Sequence, residues 1–339
     1  MDALLITALP NVRYLSGFTG SNAALLLTER DATLFTDPRY TFQAGQESDC
    51  RVSITKNHLL PAVVATVGRR KLRRLGIEKD RMTFHAYDFL REKLPLGSGM
   101  VPLAASVETL RMVKSDEEIG RIRRSVITNS NAFAAAMKKL TRRMSENDLA
   151  AELDFQMRRQ GAEGCAFETI VASGARSALP HARPTRNPIE PDQLLLIDMG
   201  ATQEGYASDM TRTVFVGSAK PVWKRRYRAV LEAQLAAIAA IRSGVAAGKP
   251  DSEARKVLAA HGLDKEFTHS TGHGLGLEIH EPPRIGKKEK TTLRAGMVIT
   301  VEPGIYLKDQ GGIRIEDTVL VTETGCEILT PTTKDLTVF

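Results

Sequence analysis

Short apolar runs alternate with amphipathic stretches from the first residues of the chain. ALLIT (3–7), NAALLLT (22–28) and ATLFTD (32–37) read as strands, the last two joined by the turn ERD. Helical patterns at DPRYTFQAGQES (37–48), LLPAVVATVGRRKLRR (59–74) and TFHAYDFLREKL (83–94) interleave with strand patterns CRVSIT (50–55), RLGIE (74–78) and GMVPLAA (99–105). This alternation predicts an α/β domain over residues 1–108.

The pattern changes across residues 106–114. Ser115 with Glu118 three positions on is a capping box, in which each side chain accepts the other residue's backbone N–H, and it opens a long helix running to about Arg142. Ser145 and Asp148 repeat the device for a helix to about Arg159. Further helices are predicted at 221–242, with Pro221 in the first position, and at 251–261, closed by Gly262. Between and after them lie strand patterns FETIVAS (167–173), QLLLIDMG (193–200), YASDMTRTVFVG (206–217), MVITVEPGIYL (297–307) and GGIRIEDTVLVTETG (311–325). Residues 109–339 therefore predict an α+β domain with a largely antiparallel sheet.

Bulk properties narrow this picture without changing it. A length of 339 residues exceeds one comfortable core and supports two domains. No apolar run approaches the roughly 18–20 residues of a membrane span, and the N-terminus lacks the basic opening and cleavage site of a signal peptide, so a cytoplasmic protein without a membrane partner is expected. Cys50, Cys165 and Cys326 are far apart and in no CxxC spacing, which predicts reduced thiols. The net charge of +7 gathers in GRRKLRRLG (68–76) and WKRRYR (223–228), each beside a helical pattern; with no nucleic-acid-binding signature alongside, solvated helix faces are expected and no nucleic-acid partner.

Candidate chemistry lies in the second half. In LLLIDMGATQEGYASDMTRTVFV two strands carry Asp198 and Asp209 on either side of a turn holding Gly200 and Gly205. A hairpin can bring these carboxylates together, and in a sheet interior their repulsion calls for a cation between them; on a solvated hairpin they need none. Glu302 follows the apolar VITV directly, where burial is expected. In GGIRIEDTVLV, Arg314, Glu316 and Thr318 share one strand face and Ile313, Ile315 and Asp317 the other. Arg314 beside Glu316 is either a plain ion pair or an arginine that orients a metal-binding carboxylate. STGHGLGLEIHEPP (270–283) adds His273 and His280, with His269 just before them. Four carboxylates and one imidazole suit paired Mn²⁺, Co²⁺ or Zn²⁺, since two divalent cations balance four negative charges.

The ordered set IDMG, SDMTRT, GHGLGLEIHE, VEPG and GIRIEDT resembles the catalytic domain of the M24 pita-bread metallopeptidases, which include aminopeptidase P, prolidase and methionine aminopeptidase. NVRYLSGFTGSNAALLLT resembles the creatinase-like N-terminal domain of the proline-specific members. The resemblance implies a dimetal exopeptidase, most readily with Mn²⁺, in which Asp198 binds one ion, Asp209 and Glu316 bridge both, and His273 and Glu302 bind the second. It further implies that Glu302 accepts a proton from the attacking water, that His280 and His181 hydrogen-bond the substrate carbonyl and the oxyanion, that His269 lines the proline pocket, and that Arg314 orients Glu316. Each histidine could equally be an ordinary core or surface residue, the reading retained for His58, His85 and His261. A homodimer acting on peptides with proline at the second position is implied. GFTGSNA and SALPHARP resemble small bacterial aminopeptidase P enzymes, so that activity is expected, with Xaa-Pro dipeptidase as the alternative. Methionine aminopeptidase fits the long leading domain poorly, and a non-catalytic pita-bread module fits the complete donor set poorly. A dipeptidase needs a group to capture the substrate's free carboxylate, for which Arg183, Arg186 and Arg284 are candidates.

Overall fold

A computed structural model describes residues 1–56, 58–141 and 143–339. The chain divides into two units, Met1–Arg111 and Met112–Phe339, against an expected boundary after residue 108. In the first unit, strands β1 (Ala3–Ile6), β2 (Ala23–Thr28), β3 (Ala32–Thr36), β4 (Arg51–Ile54), β5 (Arg74–Glu78) and β6 (Gly99–Leu103) form one sheet in the order β4-β3-β2-β1-β5-β6. Helices α1 (Leu9–Ser16), α2 (Thr41–Glu47), α3 (Leu59–Arg69), α4 (Phe84–Lys93) and α5 (Ser106–Arg111) complete the unit. Neighbouring residues on the central strands point to opposite faces, and both faces are covered. Leu5, Leu26 and Phe35 pack with Val63, Val67 and Leu90, while Ile6, Leu25 and Leu34 pack with Val12 and Ala44. Burial on both sides explains why these strands are continuous apolar runs rather than alternating ones.

Two helices of this unit were not predicted. α1 has Pro10 in its first turn and ends at Gly17 in the left-handed region (φ 76°), and the Glu78 carboxylate accepts from Thr7 N and Ala8 N at its start. α5 is a turn and a half long. Neither is long enough to display a periodic apolar stripe.

In the second unit α6 (Asp116–Met137) and α7 (Glu146–Arg159) both open on the predicted capping boxes, at Ser115 and Ser145. α6 stops at Met137, short of its predicted end, and Arg142 lies outside the described residues. The strands are β7 (Gly164–Cys165), β8 (Ile170–Ser173), β9 (Gln193–Met199), β10 (Ala201–Gln203), β11 (Tyr206–Ala207) and β12 (Met210–Val216). After α8 (Pro221–Ala239) and α9 (Gly248–Ala260) follow β13 (Gly272–Gly274), β14 (Glu281–Ile285), β15 (Val298–Val301), β16 (Gly304–Leu307), β17 (Gly311–Arg314), β18 (Asp317–Val321) and β19 (Cys326–Ile328). Every described pairing between these strands is antiparallel. They form several small sheets rather than one: β12-β9-β8, β11-β10-β7, β14-β13-β15-β18-β19 and β16-β17.

Three long predicted strands are each broken in two beside an acid. YASDMTRTVFVG breaks at Ser208 and Asp209, MVITVEPGIYL at Glu302 and Pro303, and GGIRIEDTVLVTETG at Ile315 and Glu316. Pro303 has no N–H to continue its ladder. The strand faces are sorted by their apolar residues. Leu195, Ile197 and Met199 of β9 and Met210, Val214 and Val216 of β12 pack against α6 and α7, which turns Asp198, Thr211 and Thr213 to the opposite face. Among the described residues no helix is long and apolar enough to cross a membrane.

Candidate metal centre

Five side chains converge from the ends of these ladders. Asp198 sits near the end of β9 opposite Thr211 of β12, and Asp209 lies in the break just before β12. Glu302 follows β15, and Glu316 precedes β18, the strand that pairs with β15 through Val301 and Asp317. His273 comes from β13, which lies beside β15, with its N–H donating to Thr300 Oγ1 at 3.1 Å. The approach of β13 depends on Gly272, where a Cβ would stand 2.0 Å from the Thr300 carbonyl oxygen.

Ligand atoms of Asp209, His273 and Glu316 lie within 4.8 Å of one another. His273 Nε2 is 3.6 Å from Asp209 Oδ2 and 3.5 Å from Glu302 Oε1. Its other nitrogen, Nδ1, is 3.0 Å from the Gly274 carbonyl oxygen, which can only accept, so Nδ1 carries the hydrogen. Burial, and secondarily the nearby His280, lowers the imidazole pKa to about 4, leaving it neutral at pH 7 with the Nε2 lone pair turned toward the acids. Burial also drives the carboxylates the other way. With mutual repulsion added, it raises Asp209 and Glu316 well above the usual carboxylate range and Glu302 to about 7. Asp198 Oδ1 is buried without a hydrogen-bond partner. Buried acids in excess of their cations, an orphaned carboxylate oxygen and a bare imidazole nitrogen make a donor set that can hold divalent metal.

Arg314, expected to orient Glu316, reaches it by way of Thr211 and contacts Asp198 directly. Its Nη2 donates to Asp198 Oδ2 at 2.6 Å and its Nε to Thr211 Oγ1 at 3.0 Å, and the Thr211 hydroxyl donates onward to Glu316 Oε2 at 2.7 Å. The guanidinium at the end of β17 thus reaches across to β9 and β12. The predicted alternation itself holds through the strand break. Thr318 donates to the Asp209 carbonyl at 2.9 Å, while Asp317 faces away and is held by Arg212, Gln234 and Lys334.

A cavity of about 560 Å³ opens over this cluster, and all nine site residues expected from sequence lie on its wall: Asp198, Asp209, His273, Glu302, Glu316, His181, His269, His280 and Arg314. The His280 ring meets His273 edge-on with centroids 4.4 Å apart. His269 Nδ1 donates to the Ser270 carbonyl at 2.8 Å, leaving Nε2 to accept from the Tyr306 hydroxyl at 2.9 Å, and that hydroxyl accepts from Arg314 Nη1 at 2.7 Å. Burial, reinforced by Arg314, holds His269 neutral with a pKa near 4. His261 instead pairs with Glu232 at 2.8 Å on the exposed surface, and His58 and His85 belong to the first unit. Of the three arginines considered for a substrate carboxylate, Arg183 and Arg284 line the cavity and Arg186 does not. Thr211 and Tyr306 are hydrogen-bonding partners of the candidate site residues that sequence reasoning missed. Only the register of β9 against β12 and the packing of β16 bring them in, and neither is visible in a motif.

Residues 120–323 match the metallopeptidase family M24 model, and residues 1–113 match the creatinase/prolidase N-terminal domain model. The chain belongs to metallopeptidase family M24. This M24 metallopeptidase has the pita-bread catalytic fold behind a creatinase-type N-terminal domain, and it is a metalloexopeptidase. It is 37% identical over 337 residues to the Xaa-Pro dipeptidase of Pyrococcus horikoshii, a match covering 99% of this chain and 94% of that one. Among solved structures, the Xaa-Pro dipeptidase from Bacillus anthracis superposes with a TM-score of 0.97 at 36% identity, covering 100% of this chain and 95% of that one. The X-Pro aminopeptidase from Thermotoga maritima superposes with a TM-score of 0.94 at 38% identity, covering 100% and 98%.

Proposed function

We propose that this M24 metallopeptidase is an Xaa-Pro dipeptidase that binds two divalent ions, Mn²⁺ before Co²⁺ or Zn²⁺, through Asp198, Asp209, His273, Glu302 and Glu316. The relatives favour this alternative over the aminopeptidase P activity expected from GFTGSNA and SALPHARP, since Xaa-Pro dipeptidases recur among them. The observation that carries the reading is the position of Arg284 on the cavity wall. Arg284 opposes His273 in the β13–β14 ladder and reaches the same cavity, and among the described residues it has no ion-pair partner. An arginine free to bind a carboxylate fits a substrate whose proline bears the C-terminus.

When bound, the ions polarise the scissile carbonyl and acidify a water at neutral pH. Glu302, with Oε1 3.5 Å from His273 Nε2, is the group that would take that water's proton. Arg314 fixes Asp198 directly and Glu316 through Thr211. His181 and His280 reach the cavity as donors to the substrate carbonyl and the charge that develops on it, and His269, held by Ser270 and Tyr306, walls the pocket for the proline ring. Proline lacks the N–H that ordinary peptidases bind, so recognition rests on shape and on the terminal carboxylate.

The test is a panel of Ala-Pro, Ala-Pro-Ala and Met-Ala-Ser with Mn²⁺ present. Hydrolysis of Ala-Pro with little of Ala-Pro-Ala is expected, and Arg284→Ala should raise the KM for Ala-Pro by about 10- to 100-fold, the worth of a charge-assisted hydrogen bond. Preference for Ala-Pro-Ala would restore aminopeptidase P, preference for Met-Ala-Ser would point to methionine aminopeptidase, and no cleavage of any would defeat the dipeptidase reading.

A further inference from the structure

Glu146, the first residue of α7, is fully buried yet lies away from the acid cluster. Its carboxylate gathers donors from both ends of a single loop. From the leading end, Ser173 N reaches Oε1 at 2.8 Å and Arg176 Nε reaches the two oxygens at 3.1 and 3.0 Å. From the returning end, Thr185 N and Thr185 Oγ1 reach Oε2 at 3.0 and 2.7 Å. Arg176 closes the ring by donating from Nη2 to the Arg183 carbonyl at 2.5 Å. The enclosed residues, 174–184, include His181.

His181 is exposed on the cavity wall, and among the described residues it makes no hydrogen bond or ion pair of its own. Its position is therefore set by its loop. The middle of that loop is held from the site side, where Arg314 Nη1 donates to the Pro180 carbonyl at 3.1 Å and Gly312 N donates to Ser177 Oγ at 2.8 Å. The stems meet at Glu146, with the Arg176–Arg183 contact closing the same ring. We propose that Glu146 is a positioning residue for His181, a single buried carboxylate that ties the two stems together and so fixes where the imidazole stands over the substrate carbonyl. Every group facing Glu146 in this network is a donor, which requires an acceptor at both oxygens. Glutamine cannot satisfy that requirement, because its amide nitrogen would face a donor. The proposal rests on the reading that His181 hydrogen-bonds substrate or developing oxyanion.

A double-mutant cycle tests it, on whichever of Ala-Pro or Ala-Pro-Ala the wild-type enzyme turns over. His181→Ala should lower kcat about 100-fold, the loss typical of one oxyanion donor. Glu146→Gln should lower kcat by about 10- to 100-fold, as small misplacements of catalytic groups do, with the Mn²⁺ content unchanged. In the His181→Ala background the same Glu146→Gln change should cost less than about twofold, because nothing is left to position. Equal losses in both backgrounds would show that Glu146 serves the fold or the metal rather than His181 and would overturn the proposal. Wild-type turnover by His181→Ala would remove the reading of His181 on which it stands. If Glu146→Gln fails to fold, Thr185→Val in the same cycle removes one of the donors alone; the same non-additivity is expected, and additivity overturns the proposal.

Discussion

Asp209, Glu302 and Glu316 occupy positions where burial and mutual repulsion oppose their ionisation, and Arg314 is already committed to Asp198, Thr211, Tyr306 and Pro180. In the metal-free protein protons relieve that repulsion; divalent cations relieve it better and displace them. Because the pKa of Glu302 is raised to about 7, a proton on that carboxylate competes with metal below that pH and leaves as the pH rises above it. Apparent Mn²⁺ affinity is therefore expected to rise with pH through the region around 7, with protons released on binding, read by titration calorimetry in buffers of different ionisation enthalpy. Buffer-independent heats and a pH-independent affinity would contradict the assignment. At this scale the sequence was legible where residue type announces chemistry, as in the acids that end apolar runs. It was silent on the partner of Arg314, because side chains that meet across strands are chosen by register, which no local motif prints.

At the scale of elements, the breaks at Asp209, Glu302 and Glu316 turn each carboxylate out at the mouth of a ladder instead of leaving it within one. Buried ion pairs then fix the loops between. Lys114 meets Glu281 at 3.2 Å next to His280, and Asp251 pairs with Arg255, which donates to the Phe267 and His269 carbonyls. Continuous apolar runs concealed these breaks from a reading based on periodicity, and the two-turn α1 was too short to be seen. At Gly272 the chain crosses closely over Thr300. Gly272→Ala is expected to destabilise the protein by about 1–3 kcal/mol through overpacking and to lower its metal content, since the same strand carries His273. Gly325→Ala is the control: nothing lies within 4 Å of a Cβ there, and a change within about 0.5 kcal/mol is expected. Thermal denaturation with metal analysis decides; equal stability of the two variants would show that the crossing tolerates a methyl group.

For the whole molecule, the expected acid and histidine set falls entirely within Met112–Phe339. Ligand that binds only the folded state stabilises by roughly 2.7 kcal/mol at a hundredfold excess over Kd, and that stabilisation belongs to the unit that holds it. Added Mn²⁺ should slow amide hydrogen exchange in β9, β12, β13, β15 and β18, with little change in Met1–Arg111. Uniform protection of both units would speak against a centre confined to the second. The order of the two parts and the α/β and α+β characters were legible in the sequence because they depend on patterns repeated over many residues. The division of the second unit into several small sheets was not, because it depends on contacts between distant segments.

The contact between Thr211 and Glu316 joins residues 105 positions apart. During synthesis from the N-terminus, the segments bearing Asp198, Asp209 and His273 emerge before β18, so the proposed donors can all meet only when nearly the whole chain is available. Pairings of such long sequence separation are slow to form. On the proposed ligand set, competence for metal would arrive as one of the last events in maturation, and a truncated chain ending before Glu316 would carry four of the five proposed donors.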